Sequence, residues 1–317
     1  MNKSGEGCCN TSVAGDGLAS HQLPVLWLTL PFSAVIVVGS LALVVGIAGS
    51  KRLHNSAGWF FLSLAVSDLA TGLVLPSVPG LSSDTARPYC LCLLTYLLPN
   101  FVVLSLLANL LLVHADRYLH VVHPLRGRAW LRGRAWAALL AVWLLPLSFA
   151  CLPLLGWNSW PAQLTGHCCC QSGHVFSSAY IYLEVYGVLM PSILAMGAST
   201  AALHRLARGQ MRRIQRQHRA VQSGPTISPL EQELNLRYTR SVAGSLLIFT
   251  CCWLPYIAHL HGRFLGARAH IVLSCLGIAS AALVPFALAL GNKDYLQTWA
   301  RVRAKLCRRA GDPQGWP

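Results

Sequence analysis

Charge is scarce in this sequence. Asp, Glu, Lys and Arg make up 11% of its 317 residues, against about 25% in an ordinary soluble protein. Hydrophobic residues reach 54% and mean hydropathy is +0.50, which points to an integral membrane protein. Acids are scarcer still, ten in all. No span carries paired carboxylates, and neither H-E-x-x-H nor a phosphate loop occurs, so a multi-pass membrane enzyme has no visible chemistry to build on. Residues 92–104 contain no acid, so the third span offers no counter-ion to an amine ligand. Internal inverted repeats and short broken spans, the marks of a transporter, are also missing. Residues 1–23 are small and polar without an apolar h-region, which predicts no cleavable signal peptide and a first span that serves as signal anchor.

What the sequence has is apolar length. A spanning helix needs about 20 apolar residues. Seven stretches qualify: about 25–49, 57–78, 90–115, 135–155, 178–203, 241–261 and 269–290. The net charge of +15 would suit nucleic acid, but its placement argues otherwise. Two Lys or Arg fall in 50–56, five in 117–134, eight in 204–240 and six in 292–317, leaving Lys3, Arg87, Arg263 and Arg268 elsewhere. Alternate loops thus hold nearly all the cations, which predicts that those loops and the C-terminus are cytoplasmic and the N-terminus is extracellular. The sequons at Asn2 and Asn10 fall on the predicted outer side, with Asn10 the better glycosylation candidate because Asn2 lies so near the start.

The predicted organisation is an extracellular segment 1–23, a seven-helix domain 24–291, and an amphipathic helix with cytoplasmic tail, 292–317. In that last part Leu296, Trp299, Val302 and Leu306 form an apolar stripe between Arg and Lys, as in an interfacial helix. Cys307 at its end is a candidate for palmitoylation or a plain thiol. Loop 204–240 is basic, with Gly224-Pro225 and Ser228-Pro229 in its middle. Its flanks are predicted to extend the fifth and sixth helices, and its centre to be a linker.

Twelve cysteines include Cys90 and Cys92 at the start of span 3 and Cys168, Cys169 and Cys170 between spans 4 and 5. A disulfide between the two groups suits an oxidising compartment, although sequence does not choose the partners. Zinc held by the triplet with His167 and His174 is the weaker reading, because adjacent cysteines fit a tetrahedral site badly.

Within the spans, polar residues mark candidate sites. Asp68 sits near mid-membrane in span 2, and Glu184 near the outer end of span 5. An intramembrane acid is either a functional group or a polar contact within the bundle. Tyr96, Asn100, Val103 and Leu107 share one helix face, and Pro99 predicts a kink there. Such a stripe lines an extracellular pocket or bonds a neighbouring helix. Asp116-Arg117-Tyr118 ends span 3, about 30 Å from Tyr96 along a helix, where two charges predict a helix end facing water. Pro255, within Cys252-Trp253-Leu254-Pro255-Tyr256, predicts a kink and a hinge. Arg263, at the outer end of span 6, is our candidate partner for a ligand carboxylate; a solvated loop arginine is the alternative.

Taken in order, these residues resemble a known family. Leu64-Ala65 to Asp68, Cys92, Asp116-Arg117-Tyr118 with Pro124-Leu125, Trp143, Pro191, Cys252-Trp253-Leu254-Pro255 and Pro285 match the pattern of rhodopsin-like (class A) G-protein-coupled receptors over nearly the whole chain. The resemblance implies an all-α membrane protein, a seven-transmembrane bundle with a short amphipathic eighth helix, no cofactor and no enzymatic activity. It also implies a heterotrimeric G protein as partner, engaged by Arg117 and Leu125 when helix 6 swings about Pro255.

Ser105–His114, Tyr182–Gly187, Leu155–Trp160 and Ala279–Pro285 are similar to the bile-acid-sensing branch of that family. This implies an amphipathic steroid ligand against Tyr96, Asn100, Glu184, Trp253 and Tyr256, a stimulatory G protein and a rise in cyclic AMP. Within this frame we assign the partner of Cys92 as Cys168, with Cys169 and Cys170 open.

There are departures from the pattern. Gly39-Ser40 stands for the usual Gly-Asn of helix 1, and Val284-Pro285-Phe286-Ala287-Leu288 for the usual Asn-Pro-x-x-Tyr of helix 7. Asp68 therefore lacks the usual partners of a sodium site. Asn235 stands where an acid often faces the helix-3 arginine, so restraint of Arg117 would rest on Asp116, which implies appreciable basal activity.

Overall fold

Among the described residues, six long helices run through the computed structural model. The structure describes residues 19–49, 54–77, 86–87, 89–122, 126–159, 168–169, 175–220, 229–262, 272–273, 275–281, 283–284, 287 and 300. In order these form α1 (Ala19–Ala48), α2 (Ser56–Val74), β1 (Ala86–Arg87), α3 (Tyr89–Val122), α4 (Arg126–Ala150) and β2 (Cys168–Cys169). Next comes α5, continuous from an α-helical Ser178–Tyr182 through a π-helical Leu183–Leu189 to an α-helical Met190–Ala220, and then α6 (Pro229–Gly262). Each of the six is long and apolar enough to cross a membrane. The described residues between 272 and 287 are helical and supply the seventh span.

Helix lengths follow from local chemistry. Asn55 caps α2, its side-chain oxygen accepting from Gly58 N at 2.8 Å, which satisfies one of the donors a helix start leaves open. Pro99 and Pro255 lie inside α3 and α6 without ending either helix. The basic flanks of loop 204–240 do extend α5 and α6, to Ala220 and from Pro229; the Gly-Pro and Ser-Pro centre lies outside the described residues. So do the amphipathic stretch 292–306, Cys307, Asn2 and Asn10.

α3 is the axis of the bundle and packs against α2, α4 and α5. The main core runs through every span, from Ile36 and Phe60 through Leu110 and Met196 to Phe249, Trp253 and Val284. The opposite faces are apolar and exposed, as at Val38, Leu145, Leu194 and Leu247, the arrangement that hydrocarbon surroundings require of a spanning bundle. α1 crosses α2 closely at Gly72, where an added Cβ would come within 2.9 Å of Ile36 and Val37 side chains. Ser33 Oγ donates to the Gly72 carbonyl at the same crossing. Small residues allow such close approach of membrane helices.

At the end of the bundle where α3 begins, β1 and β2 pair antiparallel, Ala86 with Cys169 and Arg87 with Cys168. This ties the segment before α3 to the segment between α4 and α5. Cys92 is fully buried and disulfide-bonded.

Candidate functional site

The shared face of α3 turns toward the interior of the bundle. Tyr96 and Leu107 are buried, and Asn100 and Val103 half-buried. Tyr96 meets Phe176 edge-on, with ring centroids 6.2 Å apart. Asn100 reaches across to α5, its Nδ2 donating to the Tyr180 hydroxyl at 2.7 Å. Tyr180 is itself fully buried, stacked on Phe176 at 5.3 Å and tilted against Phe149 at 5.1 Å. Glu184, half-buried, lies one turn further along α5 and close enough to act electrostatically on Tyr180. The π-helical turn that begins at Leu183 carries Glu184; such turns widen a helix locally and recur at functional positions.

On α6, Trp253 is buried and meets Tyr256 edge-on at 5.8 Å and Phe249 at 6.0 Å. Helix seven comes close behind it: a Cβ on Gly277 would stand 2.9 Å from the Trp253 ring. Thus Asn100 and Glu184 form one cluster through Tyr180, and Trp253 and Tyr256 form another. Val103, Val185, Trp253 and Tyr256 belong to a single apolar core, so the two clusters share one interior. A separate cavity of about 470 Å³ opens between α3, α4 and α5, lined by Leu107, Leu111, Phe149 and Val188 among others. Its two hydroxyls, Ser148 and Ser192, donate to backbone carbonyls of their own helices, which leaves its wall effectively apolar.

Mid-bundle, Asp68 is fully buried, and among the described residues no hydrogen bond reaches either carboxylate oxygen. Beside it in sequence, Ser63 ties three helices together. Its hydroxyl donates to Asn109 Oδ1 at 2.6 Å and accepts from Trp143 Nε1 at 3.0 Å. Among the described residues no group of His, Cys, Asp and Glu could hold a metal ion; the Cys168–Cys170 triplet with His167 and His174 lies outside that search.

At the far end, one expectation needs correction. Asp116-Arg117-Tyr118 does not mark a helix end facing water. α3 continues to Val122, Asp116 is 5% exposed, and the Arg117 side chain is 12% exposed. The charges turn inward because each has a local partner. Arg117 Nε sits 3.5 Å from Asp116 Oδ2, and its guanidinium lies 5.1 Å over the Phe61 ring of α2, an attraction that strengthens on desolvation. Tyr118 is half-buried. Two residues before the acid, buried His114 bonds to Ser245 on α6, Nε2 to Oγ, at 3.3 Å. Ser241, one turn away, donates to the Ala287 carbonyl of helix seven.

Leu125, Arg263 and the side chains of Cys168 and Asn235 lie outside the described residues. Sequence reasoning missed Tyr180, Phe61, and the His114–Ser245 and Ser63–Asn109–Trp143 bonds. The spacing of Tyr180 and Glu184, one turn apart, was the available signal for the first. The others join residues up to 131 positions apart and leave no local pattern.

A seven-helix bundle with an aromatic and polar cluster near the Cys92 end and an inward-held Asp-Arg-Tyr at the other defines a membrane receptor rather than an enzyme. A family comparison agrees: residues 39–286 match the 7 transmembrane receptor (rhodopsin family), and the chain belongs to that family. It is a multi-pass plasma-membrane protein of class A. It is similar to the G-protein coupled bile acid receptor 1 of Bos taurus, 44% identical over 92% of this chain and 89% of that protein. The human protein of that name is 43% identical over 89% of this chain and 85% of its own length. At lower identity, 27% over 89% of this chain and 90% of the relative, it matches the adenosine receptor A2b of Canis lupus familiaris.

Proposed function

We propose that this receptor answers bile acids or similar amphipathic steroids and acts through a stimulatory G protein to raise cyclic AMP. The observation that carries the reading is the near-full-length identity to receptors named for bile acids, found in a chain whose Asn100–Tyr180–Glu184 cluster and Trp253–Tyr256 pair share one apolar core. The chemistry suits an amphipathic steroid: an apolar body fixed by few polar groups. Tyr96, Asn100, Glu184 and Tyr256 contact the ligand, Trp253 closes the pocket beneath it, and Arg263 meets its carboxylate.

Signalling is a population shift. The ligand favours the open bundle only by the difference in its affinity for the two states. Opening swings α6 about Pro255, frees Arg117 from Asp116, and admits the G protein, against which Leu125 packs. In this reading the N-terminus is extracellular with glycan acceptors at Asn10 and, second to it, Asn2, the C-terminus is cytoplasmic, and Cys92 pairs with Cys168.

The test is cyclic AMP in cells expressing the chain, with and without cholic acid, for the native receptor and Tyr256→Ala at matched surface level. A cholic-acid-dependent rise lost in the variant supports the reading. A response that the variant keeps removes Tyr256 from the pocket. No response to any bile acid, alongside a response to adenosine, overturns the ligand class.

A further inference from the structure

The cavity of about 470 Å³ between α3, α4 and α5 has no part in the reading above, and its wall restricts what can fill it. No charged residue lines it. Its hydroxyls, Ser148 and Ser192, spend their protons on the Leu145 and Val188 carbonyls at 2.8 and 2.7 Å. Water needs about two to four polar partners to stay in a cavity, and an ion or carboxylate here would go unpaired. An empty space of this size forfeits the contacts of its whole lining. The wall therefore suits an uncharged, largely apolar molecule.

The mouth of the cavity decides where that molecule comes from. Leu145 and Ser148 belong both to the wall and to the exposed face of α4. Leu144 and Leu147 are exposed beside them, and all four lie within the span Gly133–Ala150. The mouth thus opens into hydrocarbon, and its occupant arrives from the bilayer. The volume lies within the range of small-molecule sites, about 300–1,000 Å³. One polar feature remains at the mouth. Ser148 Oγ, its proton committed, keeps a lone pair, and it stands two residues before α4 ends at Ala150. A rigid apolar body with a single hydroxyl at one end matches this wall. A lipid acyl chain offers no donor to Ser148 and gives up more conformational freedom on entering.

We propose that this cavity binds an uncharged membrane sterol, which enters sideways from the bilayer with its hydroxyl on Ser148 Oγ, and that its occupancy tunes agonist affinity. The link to the agonist is Phe149. It lines the cavity, its ring lies 5.1 Å from that of Tyr180, and its carbonyl accepts from the Tyr180 hydroxyl at 3.4 Å. Tyr180 in turn accepts from Asn100. Val188, in the same wall, belongs to the π-helical segment that carries Glu184. A sterol packed on Phe149 and Val188 orders both before agonist arrives, so the agonist has less ordering to supply. The sterol site stands by itself; its effect on affinity rests on the steroid reading above.

The probe for the site is a photoreactive cholesterol analogue with a diazirine on its ring system, added to the full receptor in phospholipid nanodiscs. Labelled peptides are mapped by mass spectrometry. Labelling should be saturable, fall in 104–111, 145–152 and 188–192, and be displaced by cholesterol. Ala108→Phe, which fills the cavity from α3, should abolish it, and Ser148→Ala should weaken it severalfold. Leu247→Phe, on the exposed face of α6, should leave it unchanged. Labelling spread evenly over exposed faces such as those of Val38 and Leu247 overturns the site. So does displacement by oleic acid as readily as by cholesterol, or displacement by cholic acid alone. The competition on the native receptor decides this even where Ala108→Phe fails to fold.

The second readout is cholic acid affinity. It should be about fivefold higher, or more, in nanodiscs with cholesterol than without, and Ala108→Phe should lose the difference. Equal affinity in the two membranes overturns the coupling and leaves the site standing. Cholic acid binding in neither overturns the steroid reading of the agonist and the coupling with it, while the labelling still judges the sterol site.

Discussion

Ser245→Ala should raise ligand-independent signalling about five- to tenfold. In the native chain Ser245 Oγ donates to the Val242 carbonyl at 2.8 Å. The hydroxyl proton is thereby spent, so His114 Nε2 must carry the hydrogen it shares with Ser245 Oγ across 3.3 Å. Both side chains are essentially sealed, at 1% and 0% exposure. The Val242 bond lies within α6 and is lost in open and closed bundles alike, so it cancels. The bond to α3 exists only while α6 lies against α3.

Removing that bond costs the closed state about 1–1.5 kcal/mol, since a neutral hydrogen bond contributes about 1 kcal/mol net and its loss strands a buried N–H. Every 1.4 kcal/mol is tenfold in an equilibrium. A resting receptor open about 1% of the time, within the usual range for a minor state, would then be open about 5–10% of the time. The assay is G-protein activation without ligand, at matched surface expression. His114→Phe should act in the same direction. The double variant should rise no further than the larger single effect, because both remove one interaction. An unchanged or lower basal signal in Ser245→Ala would refute the reasoning. So would full additivity in the double variant.

Two further outcomes follow from contacts elsewhere in the bundle. Gly277→Ala places a Cβ 2.9 Å from the buried Trp253 ring; overpacking of this kind costs about 1–3 kcal/mol, and the displaced indole should weaken agonist potency. Gly197→Ala, with nothing within 4 Å, should be silent in the same dose–response measurement. Ser63→Ala strands Asn109 Oδ1 and Trp143 Nε1 at once; at about 1–3 kcal/mol for a buried group left unpaired, the detergent-solubilised receptor should lose several degrees of thermal stability by ligand-free melting. An unshifted melting curve would show that water replaces the hydroxyl.

Much of this protein could be read directly along its chain, because insertion into a bilayer is decided segment by segment. Each stretch of about 20 apolar residues is a span in its own right, and α1 to α6 cover the first six predicted stretches. The inward face of α3 was legible for a similar reason: Tyr96, Asn100, Val103 and Leu107 are set by the helical period alone. The Asp116-Arg117-Tyr118 pattern was legible as a motif, but its setting was not. Local reasoning sends two charges to water, whereas the fold brings Phe61 of α2 under the guanidinium and Asp116 beside it.

The tertiary structure alone decided which polar groups meet across helices. Asn100 finds Tyr180 at a separation of 80 residues and His114 finds Ser245 at 131. Those meetings depend on how far each helix is rotated about its axis and where it crosses its neighbour. Rotation and crossing are set by packing of all the spans together and by close contacts such as Gly72 on Ile36 and Gly277 on Trp253, and the π-helical Leu183–Leu189 breaks the α-helical period within α5. No periodicity within one span carries that information. The sequence alone therefore determined what crosses the membrane and which faces are polar, and packing between helices determined which of those polar groups act together.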